Sequence, residues 1–243
     1  MYSLVNCRPN LLFLLLYKTM LKFYYKTLSL YSRPVWIALL EKQLPFELIE
    51  LALDGDQWQA DFLIINPFGR IPVLVDDGFS VFECLTILDY LELKYPTPGL
   101  LPNNIKRQTM VRMIEMLALH ELIPAMLTII RTNDNKNLVE QANQQIIVML
   151  NFLEKHLNNN LYLAGDRISL AEIVAGSLIL WLPYLNISLT NYPQVESWSN
   201  RLMQRPAWQT TQPDPKVVQD WLKRIQKLPK IRERQWKQQK VKY

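Results

Sequence analysis

The sequence predicts an α/β domain followed by an all-helical domain, and three observations predict this order. Strand-like and helical runs alternate between residues 21 and 95, beginning with "LKFYY", "SRPVWIALLEK" and "FELIEL". From about Ile105 onward, apolar residues recur at three- and four-residue spacings, which is typical of long amphipathic helices. The bridge "YPTPGLLPNN" between the two patterns contains three prolines and a glycine, which favours a linker.

The first domain is predicted at residues 20–97, in the order β-α-β, α, β-β-α. After the first three runs comes a helical patch, "DQWQADFLIIN", and then the strands "PVLVDD" and "FSVFE" and the helix "CLTILDYLELKY". The strands are β-branched and apolar, which indicates a sheet covered by helices.

The second domain is predicted at residues 104–212, after a linker at 98–103. Its helices are expected in "IKRQTMVRMIEMLALHELIPAMLTIIRT", "NLVEQANQQIIVMLNFLEKHL", "ISLAEIVAGSLILWLPYL" and "PQVESWSNRLMQ". Ser169 and Glu172 have the spacing of a capping box ahead of an apolar run. Pro206 is a natural end to the last helix.

Composition and charge exclude several classes of protein. With 243 residues, 49% of them hydrophobic, the chain can bury a full core. The net charge of +5 is concentrated in residues 213–243, which hold ten Lys or Arg and three Asp or Glu, so the remainder is nearly neutral. Such a terminal run is more typical of a solvated tail than of a phosphate-binding face, and residues 213–243 are predicted as a basic C-terminal helix or tail. We therefore expect no nucleic-acid partner.

The N-terminal 19 residues are expected to be a dispensable extension. The apolar run "LLFLLLY" is too short to span a bilayer, which takes about 20 residues, and Met20 offers a second start. Cys7 and Cys84 cannot form a disulfide framework and lack the paired spacing of a metal site. These features predict a cytoplasmic protein with no membrane partner and no metal.

One stretch is unusual, because "NPFGRIPVLVDDGFSVFECLTILDYL" places Pro72 first in a strand-like run and a Glu-Cys pair at a helix start. Together with "LSLYSRPVWIALLEK", "YLAGDRISLAEI" and "YPQVESWSNRLMQRPAW", it resembles the glutathione transferase family over about residues 21–209. This resemblance implies a thioredoxin-like first domain, an all-helical second domain and a homodimer.

The resemblance also implies a glutathione site. The Ile71-Pro72 bond would be cis, leaving the main-chain N–H and C=O of Ile71 to pair with the extended peptide. Arg70 would lie beside the glycyl carboxylate, and Glu83 would bind the γ-glutamyl amine. The N–H groups that open the helix at Cys84 would receive the γ-glutamyl carboxylate.

Four hydroxyls are candidates for activating the glutathione thiol: Tyr24, Thr27, Ser29 and Ser32. In the serine-type branches of the family the catalytic Ser lies six residues before the Val of the first helix, and counting back from Val35 gives Ser29. Ser32 is expected to cap that helix. Tyr24 lies near the position used by the tyrosine-type branches, so it stays an alternative.

Cys84 departs from the family, which usually has Ser after the acidic residue. A thiol at a helix N-terminus could have a lowered pKa and form a mixed disulfide with glutathione. The interpretation we favour is that a small residue is tolerated because the main-chain N–H does the binding.

The resemblance therefore implies conjugation of the glutathione thiolate to apolar electrophiles, with glutathione as cosubstrate and no other cofactor. Reduction of peroxides or thiol transfer by the same thiolate is a related alternative. A third alternative is a non-catalytic binding module in a larger assembly, because one fold can serve several functions.

Overall fold

The computed structural model describes residues 20–131, 135–158 and 160–225. Within them the first domain has one four-stranded sheet in the order β2-β1-β3-β4. Its strands are β1 (Leu21–Tyr25), β2 (Phe46–Glu50), β3 (Val73–Asp76) and β4 (Phe79–Phe82). β1 pairs in parallel with β2 and antiparallel with β3, and β3 and β4 form an antiparallel hairpin.

Three helices cover this sheet: α1 (Ser32–Glu41), α2 (Ala60–Ile65) and α3 (Cys84–Lys94). Because side chains alternate along a strand, Phe23 and its neighbours two residues away pack against α1 and α3. Tyr24 points to the opposite face, where its ring lies 5.8 Å from that of Phe62 on α2. The predicted strands and helices thus occur in the predicted order, and the thioredoxin-like fold class is confirmed.

The second domain is helical throughout its described part, which confirms the other half of the predicted fold class. The segment predicted as one helix from Ile105 is interrupted by a π-helical turn at Ala118–Leu122. The helices are α4 (Ile105–Leu117), α5 (Ile123–Arg131), α6 (Lys136–Leu157), α7 (Ser177–Ile179), α8 (Pro193–Met203), α9 (Pro206–Thr210) and α10 (Pro215–Ile225).

The continuous run Ile105–Arg131 is long and apolar enough to cross a membrane by length and composition alone, with a mean hydropathy of 1.7 in its most apolar window. In that window 44% of the residues are buried inside the protein. A core helix of a soluble protein passes the same test, so this run is weak evidence for a membrane span.

The predicted capping box holds the start of the core helix in the second domain. Glu172 is fully buried, and its carboxylate accepts hydrogen bonds from the Leu163 N–H at 2.5 Å, the Ser169 N–H at 2.8 Å and the Ser169 hydroxyl at 2.7 Å. A π-helical turn, Glu172–Gly176, follows and leads into α7. The carboxylate thereby fixes both the helix start and the preceding loop.

Two arginine contacts join α1 to the helical domain. Arg33, 2% exposed, donates to the Ser177 carbonyl at 3.4 Å and to Gln212 Oε1 at 2.6 Å. Burial lowers the pKa of Arg33 to about 10, so the guanidinium is still charged at neutral pH. At the other end of α1, Arg205 donates to both oxygens of Glu41 at 2.8 and 2.6 Å.

The basic segment from residue 213, which was expected as a C-terminal helix or tail, begins with a helix that packs on the rest of the protein. Its first part forms α10, where Val218 is fully buried and the Trp221 ring lies 5.4 Å from the ring of Trp181. The apolar residues of the segment recur at helical spacing, so α10 buries one face and exposes its charges. The expectations for residues 1–19, for Cys7 and for residues 226–243 lie outside the described residues.

Candidate functional site

The Ile71-Pro72 peptide bond is cis, as the resemblance implied. The β3 ladder begins only at Val73, opposite Tyr24 of β1. No hydrogen bond is made by the main-chain N–H or C=O of Ile71 to any of the residues that the structure describes. The Ile71 side chain packs against the smaller core cluster around Phe62, so an extended peptide can reach these two main-chain groups.

The loop before Ile71 is built to hold a fixed shape. The Asn66 side chain donates to the Arg70 carbonyl at 2.7 Å and accepts from the Phe68 N–H at 3.1 Å. Gly69 has φ 59° and lies directly against the Trp58 ring, where a Cβ would clash. The Arg70 side chain, which directly precedes Ile71 in the chain, is exposed to solvent.

Glu83 is exposed and has a positive φ, with φ 71° and ψ 125°, at the N-cap of α3. No side chain caps this helix, and its first helical bond runs from the Ile87 N–H to the Glu83 carbonyl at 2.9 Å. The N–H groups of residues 84–86 precede that bond, so they are available to a carboxylate at the positive end of the helix dipole.

Cys84 is 2% exposed, in contrast to Glu83 beside it. Burial raises the pKa of the Cys84 thiol well above its ordinary value, and the nearby carboxylates of Glu115 and Glu83 add to this effect. A raised pKa leaves the thiol protonated at neutral pH, which disfavours nucleophilic or mixed-disulfide chemistry. The structure therefore favours the interpretation that Cys84 serves through its main-chain N–H.

Ser29 lies in the loop between β1 and α1 and is half-buried. Its hydroxyl oxygen accepts a hydrogen bond from the Ser32 N–H at 3.2 Å, and its carbonyl accepts from the Arg33 N–H at 3.1 Å. Because the oxygen already accepts, the hydroxyl proton is left to be donated elsewhere. A thiolate near the α1 N-terminus would be a suitable acceptor.

The expectation that Ser32 caps α1 is wrong. Ser32 is fully buried, its hydroxyl has no hydrogen-bond partner in the described part of the chain, and its N–H is bound by Ser29 instead. The reason is that the helix starts one residue earlier than a Ser32 cap requires, with Tyr31 at the N-cap position.

The other two hydroxyl candidates have partners away from the α1 N-terminus. Thr27 donates both its N–H and its hydroxyl to the Glu50 carboxylate, at 3.2 and 2.7 Å. Tyr24 belongs to the cluster on the α2 face of the sheet. Ser29 is therefore the candidate hydroxyl that the local geometry favours.

Tyr31, the N-cap residue of α1, is 37% exposed, and sequence reasoning did not single it out. Burial raises the pKa of Tyr31, with smaller contributions in the same direction from Cys84 and Glu83 and opposing ones from Arg131 and Arg70. Charges on the loop before Ile71, at the start of α3 and at the end of α5 thus influence the ionisation of the Tyr31 hydroxyl. The only feature of the sequence that could have indicated Tyr31 is its position directly before the helix that begins at Ser32.

The site can supply the free energy needed to ionise a thiol. An unperturbed thiol has a pKa of about 8.5, and lowering it by about two units takes roughly 2.7 kcal/mol. One hydroxyl donating to a charged acceptor contributes about 1.5 to 3 kcal/mol, and a helix N-terminus adds about 0.3 to 1 kcal/mol. Ser29 at the start of α1 is therefore sufficient in magnitude.

Among residues 20–131, 135–158 and 160–225, no group of three or more His, Cys, Asp or Glu side chains is placed to hold a metal ion.

The family comparisons match both domains. The sequence model described as "Glutathione S-transferase, N-terminal domain" matches residues 28–94, and the one described as "Glutathione S-transferase, C-terminal domain" matches residues 116–206. The two matches together cover more than half of the chain and include Ser29, Ile71 and Glu83.

Individual relatives carry names of two kinds. Glutathione S-transferase 3 of Zea mays is 32% identical over 205 residues, covering 76% of this chain and 92% of the relative. Maleylacetoacetate isomerase of Rattus norvegicus is 29% identical over 185 residues, covering 74% and 86%. A solved glutathione S-transferase-I with bound lactoylglutathione is 26% identical, with a TM-score of 0.70, covering 79% and 98%.

Proposed function

Because the chain belongs to the glutathione S-transferase family, we propose that it conjugates the glutathione thiolate to electrophilic, largely apolar small molecules. The observation that carries this proposal is that three elements of the first domain carry groups suited to a ligand: the Ile71 main chain, which binds no described residue, the uncapped start of α3, and the loop that carries the Ser29 hydroxyl. Each of them offers groups that suit one part of a γ-glutamyl tripeptide.

In the proposed complex the Ile71 main chain pairs with the cysteinyl residue of glutathione. Arg70 lies beside the glycyl carboxylate, and the exposed Glu83 carboxylate binds the γ-glutamyl amine through a charge-assisted bond. The γ-glutamyl carboxylate binds the uncapped N–H groups of α3. Cys84 and Pro72 shape the pocket without contributing a charge.

In the proposed reaction, Ser29 donates its hydroxyl hydrogen bond to the glutathione sulfur and so favours the thiolate. The thiol proton leaves to solvent. The sulfur then forms a bond to an electrophilic carbon, and the leaving group departs with the bonding electron pair. Glutathione is consumed as a cosubstrate.

The experiment is to compare the wild-type chain with Ser29→Ala, using 1-chloro-2,4-dinitrobenzene and reduced glutathione. Removing the donor is expected to lower turnover by about 10- to 100-fold, which corresponds to about 1.5 to 3 kcal/mol, and to raise the pKa of the bound thiol. Ser197→Ala, an exposed serine on α8, is the matched control and should keep wild-type turnover. Unchanged turnover in Ser29→Ala would contradict the role of Ser29.

Two alternatives have distinct outcomes in the same experiment. If wild-type protein binds glutathione but conjugates no electrophile and reduces no peroxide, the chain is a binding module of the family fold. If cumene hydroperoxide is reduced faster than halides are conjugated, the thiolate acts as a peroxidase nucleophile.

A second candidate reaction is the isomerisation of maleylacetoacetate, favoured by the similarity to the rat enzyme of that name. Thiolate addition to a carbon–carbon double bond, rotation and elimination would use the same sulfur-activating site and return the glutathione. If product continues to form while a small glutathione concentration stays constant, the reaction is isomerisation, because conjugation would consume the glutathione.

The homodimer and the cytoplasmic location are further parts of the proposal. Phe68, three residues before Ile71, is 58% exposed, and aromatic side chains are enriched in protein interfaces. Light scattering of the wild type and of Phe68→Glu tests the dimer: we expect a mass near twice 28.7 kDa for the wild type and a lower mass for the variant.

A further inference from the structure

We propose that Arg33 is a positioning residue, which holds Ser29 in place for the glutathione sulfur by tying the first turn of α1 to the helical domain. This inference rests on the proposed transferase function, because it assigns Arg33 a part in the same reaction. Arg33 contacts neither glutathione nor the electrophile, and it acts only through the place at which it holds the Ser29 hydroxyl.

The first support is the main-chain contact between Arg33 and the loop that carries Ser29. The Arg33 N–H donates to the Ser29 carbonyl at 3.1 Å, and the Ser32 N–H donates to the Ser29 hydroxyl oxygen at 3.2 Å. On its other side, the Ser29 N–H donates to the Lys26 carbonyl at 2.9 Å. Hydrogen bonds weaken steeply when their geometry is disturbed, so a shift of the first turn of α1 either moves the Ser29 loop or breaks these bonds. Both results displace the hydroxyl that serves the sulfur.

The second support is the side chain of Arg33, which reaches the helical domain. It is 2% exposed, and it donates to Gln212 Oε1 at 2.6 Å and to the Ser177 carbonyl at 3.4 Å. The second distance is longer than that of an ordinary hydrogen bond, so Gln212 is the main partner. The Arg33 Nε has no hydrogen-bond partner within the described residues. The contact with the helical domain therefore depends on these two oxygens.

The two acceptors are themselves held by packing in the helical domain. The Gln212 N–H donates to the Gln209 carbonyl at 3.2 Å, and α10 follows shortly after Gln212 in the chain. In α10 the Trp221 ring lies 5.4 Å from the ring of Trp181. Ser177 is 1% exposed at the start of α7. The guanidinium thus binds a fixed surface, and the first turn of α1 takes its position from that surface.

The third support is the charge of Arg33, which packing alone does not require. None of the ion pairs among the described residues includes Arg33, and both of its acceptors are neutral oxygens. A buried cation without an anionic partner costs free energy, and an apolar side chain of similar volume often packs as stably. Donors held in a fixed planar arrangement across the domain junction give a reason for arginine at this position.

The size of the effect is set by the hydrogen bond between Ser29 and the sulfur. A misplacement of about 1 Å can lower a rate by up to about 100-fold, and Arg33 acts on Ser29 only indirectly. We therefore expect a partial loss, about tenfold in kcat, together with a rise of about one unit in the pKa of the bound thiol. The binding of glutathione should change little, because in the proposed complex it depends on the Ile71 main chain and the start of α3.

The test uses Arg33→Met and Gln212→Leu, which remove the two sides of the same contact, with reduced glutathione and 1-chloro-2,4-dinitrobenzene. Each variant should raise the pKa of the bound thiol, read from thiolate absorbance, by about one unit and lower kcat about tenfold, while KM for glutathione changes by less than about threefold. The double variant should lose no more than either single variant, because both changes remove one contact. The conservative variant Gln212→Glu keeps an acceptor for Arg33 and should retain the wild-type thiol pKa.

The matched control is Arg201→Met. Arg201 also donates to a main-chain carbonyl, that of Leu161 at 2.6 Å, but both residues belong to the helical domain. This variant should lose stability in urea without a change in thiol pKa or kcat, and a merely structural role for Arg33 would give the same result in Arg33→Met. If Arg33→Met does not fold, Gln212→Leu carries the test, because Gln212 is only half-buried.

Three results would overturn the proposal: a wild-type thiol pKa in folded Gln212→Leu, an equal rise in Arg201→Met, or losses that add up in the double variant. Failure of the proposed function looks different, because the wild type would then conjugate no electrophile. The thiol pKa is read without an electrophile, so a protein that only binds glutathione still tests the role of Arg33. A wild type that binds no glutathione would overturn both.

Discussion

Glu115 on α4 carries a buried carboxyl whose titration should be visible in the stability of the protein. It is 1% exposed, its Oε2 accepts from Arg112 at 2.9 Å, and its Oε1 has no hydrogen-bond partner within the described residues. Arg112 is shared with Asp89 on α3, at 2.5 Å. The Arg112 guanidinium thus pairs with two carboxylates, so the negative charge of the buried Glu115 carboxylate is only partly balanced.

Burial raises the pKa of Glu115 from 4.5 to about 7; Arg112 opposes this shift, whereas Asp89 and Glu92 add to it. Between those two values the folded protein binds more protons than the unfolded chain, so the free energy of unfolding falls as pH rises through this window. A shift of this size corresponds to about 3 kcal/mol over the window. The stability that a neutral Glu115 provides is fully present below about pH 4.5 and lost above about pH 7.

The perturbation is Glu115→Gln, which keeps the shape and stays neutral at every pH. Equilibrium unfolding in urea between pH 4.5 and 8 should show the variant gaining stability relative to the wild type as pH rises, by about 3 kcal/mol in total. Glu196→Gln, an exposed site on α8, should give a difference that does not vary with pH. A flat or falling difference for Glu115→Gln would mean that Arg112 fully compensates the charge and would refute this reasoning.

Three further predictions concern the buried groups described above. In a Cys7→Ser background, Cys84 should react with a disulfide reagent at pH 8 on the order of 100-fold more slowly in folded than in urea-unfolded protein; rapid labelling of the native state would contradict its burial. Glu172→Gln should lower the free energy of unfolding by about 2 to 4 kcal/mol, measured in urea, because two N–H donors lose a charged acceptor; a loss below that of Glu196→Gln would count against this role. Arg205→Lys should cost about 1 kcal/mol because the two-bond contact with Glu41 is lost, and a double-mutant cycle with Glu41→Gln should show coupling between the two sites.

The sequence was sufficient for the features that depend on local pattern. Strand and helix periods, the capping box at Ser169 and Glu172, and the turn around Pro72 are each set by residues close in the chain, so each could be predicted. The order of these features was sufficient for the fold class because few topologies satisfy it.

Features that depend on packing between distant segments were missed. The sequence indicated a cap at Ser32, but the packing of α1 starts the helix so that Ser29 binds the Ser32 N–H. The hydrogen bond from Arg33 to Gln212 joins residues 179 positions apart on different domains. The docking of α10 through Trp221 likewise depends on a surface formed by other helices. The spacing of apolar residues along one segment of the sequence does not indicate such contacts.

The contacts of α1 suggest why the two domains must be considered together. Near its start Arg33 binds the carbonyl of Ser177 and the side chain of Gln212, and at its end Glu41 binds Arg205; all three partners belong to residues after the linker. The helical domain therefore fixes the orientation of α1, and with it the loop that holds Ser29 and Tyr31. If Ser29 serves the sulfur as proposed, loosening the Arg205–Glu41 contact should lower turnover more than it weakens the binding of glutathione, because glutathione contacts only the first domain in the proposed complex.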